Sequence, residues 1–377
     1  MNKSLFFIFF FIATSVFGEN NQDMNWNLTK GASRVSSEVY SLHMIVFYIC
    51  LAILIFVCGL ILFSIIRFHK SKNHVPSTKS HSLRLEVLWT IIPFIILITM
   101  AVPATKTLIS MEDTSSSNLT VLVTGSQWKW HYKYLDTNIS FYSNLATSPY
   151  EISNQRIKRD NYLLEVDNPL VIPINQKVRF LVTSDDVIHS WWVPDFAIKK
   201  DANPGFINEA WTIVNRAGTY RGQCAELCGK NHGFMPIVVI AKEQTEFKKW
   251  LLNQEKKMEQ IKLEEKKITS SILSKRELME LGESVYIQYC SACHQINGKG
   301  LKGIFPKLDG SPLAIQEDKV REHINIVLYG KTGSSMQAYK NQLTLKEIAA
   351  VITYERNAWS NKTDRLVQPS EIKKYFK

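Results

Sequence analysis

Four stretches of this chain, with a C-terminal region taken up below, predict a multidomain membrane protein: a two-helix transmembrane hairpin, a β-sandwich, a helical spacer and a small all-α domain. Residues 42–66 and 87–105 lack Asp, Glu, Lys and Arg and are almost wholly apolar. From 119 to 241 short apolar runs alternate at a period of two and are separated by turn residues. Residues 242–275 are rich in Lys and Glu and contain neither proline nor glycine, which is helical composition. A length of 377 residues also calls for two or three units rather than one core.

Residues 1–18 carry Lys3, an apolar run at 5–13 and a Val16-Phe17-Gly18 end, the pattern of an export signal. That run is too short to span a bilayer. Residues 19–41 are polar and form an outer N-terminal segment, followed by the hairpin at 42–110. Each apolar span satisfies the ~20 residues that a membrane helix needs. The loop between them holds Arg67, Lys70, Lys72, Lys79 and Arg84 and no acid, so the positive-inside rule places it in the cytoplasm and everything after 106 outside. Pro93 and Pro103 are tolerable in a membrane helix. Glu86 at the cytoplasmic mouth of the second span has two readings: a first-turn carboxylate favoured by the helix dipole, or a proton-path residue.

The formal charge of +11 is spread among apolar spans and the Lys/Glu tract, so no nucleic-acid footprint is expected. Cys50 and Cys58 lie inside the first span, and the other four cysteines fall in two motifs, which is no disulfide framework.

Residues 111–241 form the sandwich. Trp128, Trp130, Tyr132 and Tyr134 alternate with Lys129, His131 and Lys133, giving a strand with one aromatic face. Further strands are expected at 163–166, 177–183, 208–214, 219–223 and 237–240. Between the last two stands C-A-E-L-C-G-K-N-H-G-F-M, residues 224–235. Soft thiolate and thioether ligands select copper, so Cys224, Cys228, His232 and Met235 read as a copper loop; zinc or a plain disulfide stay open on these residues alone. A second imidazole has to come from elsewhere in the sheet. His189 in D-D-V-I-H-S-W-W is placed to supply it, although a lone histidine between strands is often a satisfied structural residue. His131, between two lysines on what reads as an exposed face, has the weaker claim.

Residues 242–276 read as a charged, solvated helical linker. Leu251, Met258, Ile261, Ile268 and Ile272 near heptad spacing make at most a narrow partner-binding stripe. Cys290-Ser291-Ala292-Cys293-His294 is the attachment signature of a c-type haem, with thioether bonds from Cys290 and Cys293 and an axial imidazole from His294. A zinc knuckle or a redox dithiol explains the following histidine less well. Met336 is the sixth ligand expected, with His323 as the fallback. Residues 278–289 and 346–357 read as flanking helices of a domain at 277–362, and 363–377 as a tail.

His189, the 224–235 loop and the membrane hairpin together resemble subunit II of cytochrome c oxidase. Gln127-Trp128-Lys129-Trp130, Leu164-Glu165-Val166-Asp167-Asn168 and Asp186-Val187-Ile188-His189-Ser190-Trp191 extend the similarity across residues 30–241. Residues 277–362 resemble a class I cytochrome c domain, a caa3-like fusion. The resemblance implies a cupredoxin-type sandwich holding dinuclear CuA. Cys224 and Cys228 would bridge both coppers, His189 and His232 would cap one each, and Met235 and the Glu226 carbonyl would be weak outer ligands. It further implies a magnesium ion on the Glu226 carboxylate, electron arrival at Trp128, and Glu86 at the mouth of a proton channel. Subunits I and III, an external cytochrome c or other electron donor, and a bacterial plasma membrane come with it. Quinol oxidases share the fold but lack the copper ligands. Two rivals remain: the electron-receiving module of another respiratory reductase, and a copper-binding assembly protein.

Overall fold

The computed structural model describes residues 27–72, 81–268 and 272–376. The expected export signal therefore lies outside the described residues, as does Lys79 of the basic loop. Helix α1 (Arg34–Arg67) and helix α2 (Leu83–Glu112) are long and apolar enough to cross a membrane, and both run past the uncharged spans at their outer ends. Ser33 caps α1 through a reciprocal Ser33–Ser36 capping box. That cap is sewn to the sandwich: Ala32 N donates to Asp195 O at 2.8 Å, Ser33 Oγ to Phe196 O at 3.1 Å and Asn215 N to Ala32 O at 3.0 Å. At the far end of α2, Lys177 Nζ donates to the Asp113 and Ser115 carbonyls, both at 2.7 Å.

The sandwich comprises two five-stranded sheets, β3-β2-β1-β5-β8 and β4-β10-β9-β6-β7, in which β3 is Ser140–Ser143, β4 Leu170–Pro173, β5 Lys177–Ser184, β7 Ile198–Ala202 and β8 Asn208–Ile213. The strands that position the site are β1 (Leu119–Ser126), β2 (Lys129–Tyr134), β6 (His189–Val193), β9 (Gly218–Cys224) and β10 (Pro236–Lys242). Trp130, Tyr132 and Tyr134 of β2 are buried as the alternation predicts, and they face Phe180 and Trp191 in the core. Tyr132 accepts from Trp191 Nε1 at 3.3 Å, and Tyr134 Oη donates to Val171 O at 2.6 Å, so the aromatic face also ties the sheets together.

Two expectations need correction. No strand forms at 163–166; Val166 makes only an isolated bridge to Leu145, because a turn at Asn161–Leu163, with Asn161 and Leu163 at positive φ, breaks the extended run. Nor is the linker a solvated spacer. Helix α3 (Gln244–Ile268) lays Phe247, Trp250, Leu251 and Met258 on the sandwich core, with Phe247 only 4% exposed. The Lys/Glu composition describes its outer face alone. Ile272, the last residue of the proposed stripe, is 90% exposed.

In the C-terminal domain, helix α4 (Lys275–Val285) crosses helix α6 (Leu345–Asn357), and helix α5 (Val320–Tyr329) closes the core. The crossing requires Gly282, where a Cβ would stand 2.2 Å from Ala350 O.

Candidate metal centres and the contact between them

The copper loop is held where two strands end. Cys224 closes β9 and its N–H donates to Met235 O at 3.0 Å, while Ala225 N donates to Ser190 O at 3.0 Å, which ties the loop to β6. His189 opens β6 and is buried. Its Nδ1 lies 3.9 Å from Cys224 Sγ; Cys224 Sγ lies 3.8 Å from Cys228 Sγ, and Cys228 Sγ lies 3.5 Å from His232 Nδ1. The Glu226 carbonyl stands 3.4 Å from Cys224 Sγ with its residue exposed, and Met235 is buried beneath the loop. His189, Cys224 and Cys228 thus form a compact cluster of soft and borderline donors.

The electrostatics suit cations. The shared Sγ–Sγ hydrogen bond pulls the first proton off Cys224 easily and holds the second on Cys228, so two thiolates at this spacing need positive charge beside them. Burial is the largest single influence on His189 and depresses it, but the hydrogen bonds and charges of Asp186 and Cys224 together outweigh it, and the net shift is upward. Asp186 orients the ring: its Oδ1 lies 2.9 Å from His189 Nε2, and its Oδ2 accepts from Gln127 N at 2.7 Å. A Cβ on Gly125 would come 2.9 Å from the His189 ring, so β1 needs glycine there.

Trp128 sits in the turn before β2 rather than in the strand, partly buried against the core. Its Nε1 donates to Cys228 O at 3.1 Å, and Gln127 Nε2 donates to the same carbonyl at 2.8 Å. Gly229, at φ +112°, allows this approach. His131 stacks on Tyr142 at 4.5 Å between ring centres and is not part of the thiol cluster.

In the C-terminal domain Cys290 ends a widened turn, Tyr286–Cys290, and Cys293 and His294 follow in one short helix. His294 Nδ1 lies 2.8 Å from Pro306 O, which fixes the ring and leaves Nε2 for a metal. Both thiols are free, and burial raises them. Two thiols one turn apart beside an oriented imidazole fit a covalently held haem. Met336 packs against this core, whereas His323 Nε2 is engaged by Glu355 at 2.7 Å. Glu86 stands in the first turn of α2.

The two domains meet at Trp128. Gln337 Nε2 donates to Gln127 O, Lys129 Nζ donates to Gln342 Oε1 at 2.5 Å, and Lys230 Nζ lies 5.3 Å from the Phe305 ring centre. Lys129, expected on an exposed face, is buried because the C-terminal domain covers that face. Asp186, Gln127 and Lys129 lie in segments that carry the family resemblance, but no functional role was readable for them from sequence.

The fold and its donor clusters define a membrane-anchored copper-site sandwich with a c-type domain appended. Family models agree: residues 119–242 match the cytochrome c oxidase subunit II periplasmic domain, 21–107 the transmembrane domain of that subunit, and 277–354 cytochrome c oxidase cbb3-type subunit III. The probable cytochrome c oxidase subunit 2 of Rickettsia felis is 44% identical over 239 residues, covering 63% of this chain and 74% of that one. Cytochrome c oxidase subunit 2 of Cereibacter sphaeroides is 39% identical over 233 residues, covering 58% and 77%. A crystal structure of the periplasmic domain of subunit II of Bradyrhizobium japonicum cytochrome oxidase is 40% identical, covering 38% of this chain and 98% of that one, with a TM-score of 0.35. The chain belongs to the cytochrome c oxidase subunit II family and carries a cytochrome c domain at its C-terminal end. Membership makes it one subunit of a haem-copper oxidoreductase, anchored in a membrane, with CuA copper and haem c as the cofactors of its domains.

Proposed function

We propose that this subunit receives electrons from an external cytochrome or other donor at haem c, and delivers them through CuA to subunit I, where oxygen is reduced to water and protons are pumped. When bound, the haem and the copper pair each supply one-electron redox chemistry. Cys290 and Cys293 would hold the haem covalently, and His294 and Met336 would ligate its iron. His189, Cys224, Cys228, His232, Met235 and the Glu226 carbonyl would hold the two coppers. The exposed Glu226 carboxylate is free to meet magnesium at the border with subunit I, and Glu86 would open the proton path. Subunit III and a bacterial plasma membrane complete the setting.

The observation that carries this reading is the Trp128 indole, which bonds the carbonyl of a thiol ligand on one side and is bracketed by C-terminal domain contacts on the other. Rigid support favours electron transfer, because the ligand loop is held at both ends by the sheet and has little room to rearrange. A fused donor also replaces a bimolecular encounter with an intramolecular one, at effective concentrations of order mM. The test is a metal inventory of the purified complex. Two coppers sharing one unpaired electron by EPR, one covalent haem and copurifying subunit I are expected. One zinc, or copper without delocalisation, would sink the reading.

A further inference from the structure

Lys129 opens β2 on the side that the strand pattern gives to solvent, yet it is only 6% exposed. Its ammonium is 2.5 Å from Gln342 Oε1 and lies over two rings, Tyr339 at 5.0 Å and Tyr142 at 5.4 Å. Tyr142 belongs to the sandwich, while Tyr339 and Gln342 belong to the segment that follows Met336. Both of those residues are themselves fixed: Tyr339 Oη donates to Tyr289 O at 3.0 Å, beside Cys290, and Gln342 Nε2 donates to Ala338 O at 2.6 Å, which presents Oε1 to the lysine. On the other side of Trp128, Gln127 O accepts from Gln337. The tryptophan is therefore flanked by two residues that both grip the Met336 segment.

We propose that Lys129, with Gln342 and Tyr339, is a positioning latch that registers the C-terminal domain on Trp128 and so sets the rate of electron delivery to the copper site. The inference rests on the electron path proposed above. Burying the ammonium costs desolvation, and a buried ammonium without its oxygen and ring partners costs more, so among docked geometries the one that supplies them is selected. Asp185 and Asp186 are the acids facing it, and Asp186 already serves Gln127, Val187 and His189. Burial pushes the Lys129 amine down to about 7, which agrees with a group enclosed on all sides. Among the described residues no salt bridge joins the two domains, so the latch works through buried contacts that salt screens little.

The test uses the purified oxidase complex with haem and copper loaded, in wild type, Lys129→Met, Gln342→Ala and the double variant. Haem c is photoreduced and the arrival of the electron at copper is followed by absorbance. The wild-type rate should be insensitive to ionic strength. Each single variant should slow transfer about tenfold, a loss of about 1.4 kcal/mol, with copper and haem spectra and potentials unchanged. The double variant should be no slower than the slower single, because both changes remove one contact. Wild-type rates in both singles, or multiplicative slowing in the double, would overturn the latch while leaving the electron path intact. Absence of haem-to-copper transfer in the wild type would overturn the path and the latch with it. If Lys129→Met does not assemble, Gln342→Ala, on the other domain's surface, decides the question.

Discussion

Asp186 accepts from Gln127 N and Val187 N and fixes His189 Nε2, so one carboxylate sets both a ligand ring and the turn that carries Trp128. Replacing it with Asn keeps the volume and removes the charge. Copper affinity should fall about 10- to 100-fold, the usual effect of losing a partner behind a metal-bound histidine, and chelator competition will read it. The haem spectrum should not change. A second expectation concerns the thiols. With their sulfurs 3.8 Å apart and free, stripping copper in air should close a Cys224–Cys228 disulfide, seen as a mass loss that reductant reverses. At this scale the sequence was informative about donors and silent about their supports. Ligand chemistry is written in residue type and spacing, so the 224–235 loop could be read directly. Asp186 and Gly125 act through a fold that brings distant segments together, and neither carries a chemical signature of its own.

Among the elements, α3 shows how composition misleads. Four apolar residues among many lysines and glutamates suffice to dock a helix on a sheet: Leu251 and Met258 belong to the expected stripe, and Phe247 and Trp250 widen it to a helical face. Phe247→Ala should cost about 3 kcal/mol in chemical denaturation of the sandwich. Ile272→Ala, at an exposed position, should stay within about 0.5 kcal/mol. In the C-terminal domain, Gly282→Ala should force α4 off α6 and lower the thermal midpoint of the haem band by an amount matching about 1–3 kcal/mol. The failed strand at 163–166 is an error of another kind: local pattern was read without the turn at Asn161–Leu163 that overrides it.

For the molecule as a whole, docking of the C-terminal domain should depend on pH through Lys129. In water a lysine titrates near 10.4, whereas the docked one titrates at about 7 because burial disfavours its charge. Below pH 7 the charge is present in both states and docking bears its full desolvation cost. As pH rises from 7 towards 10 the docked amine is neutral and the free one still charged, so docking strengthens. Asp185, Asp186, Tyr142, Tyr339, Cys290 and Cys293 face the same space: burial raises Asp185, both tyrosines and both thiols, while at Asp186 burial is outweighed by hydrogen bonds from His189, Gln127 and Val187, which lower it. Limited proteolysis of the docked domain from pH 6.5 to 9 should show increasing protection. The order of domains along the chain could be read from hydropathy, period and motif, since each reflects local composition. Their mutual contact could not, because Gln127, Lys129, Gln337 and Gln342 are ordinary surface residue types until the domains meet.

The cap that sews α1 to the sandwich has a mechanical consequence. Outside the uncharged span, residues 34–41 of α1 continue as helix, and so do residues 106–112 of α2. At 1.5 Å per residue each adds roughly 10–12 Å of rigid stalk above the hydrocarbon. Because the top of α1 is bonded to the sandwich at Asp195, Phe196 and Asn215, that stalk cannot swivel freely. It works as a pedestal of fixed height, which sets how far above the lipid surface the copper loop stands and which way it faces.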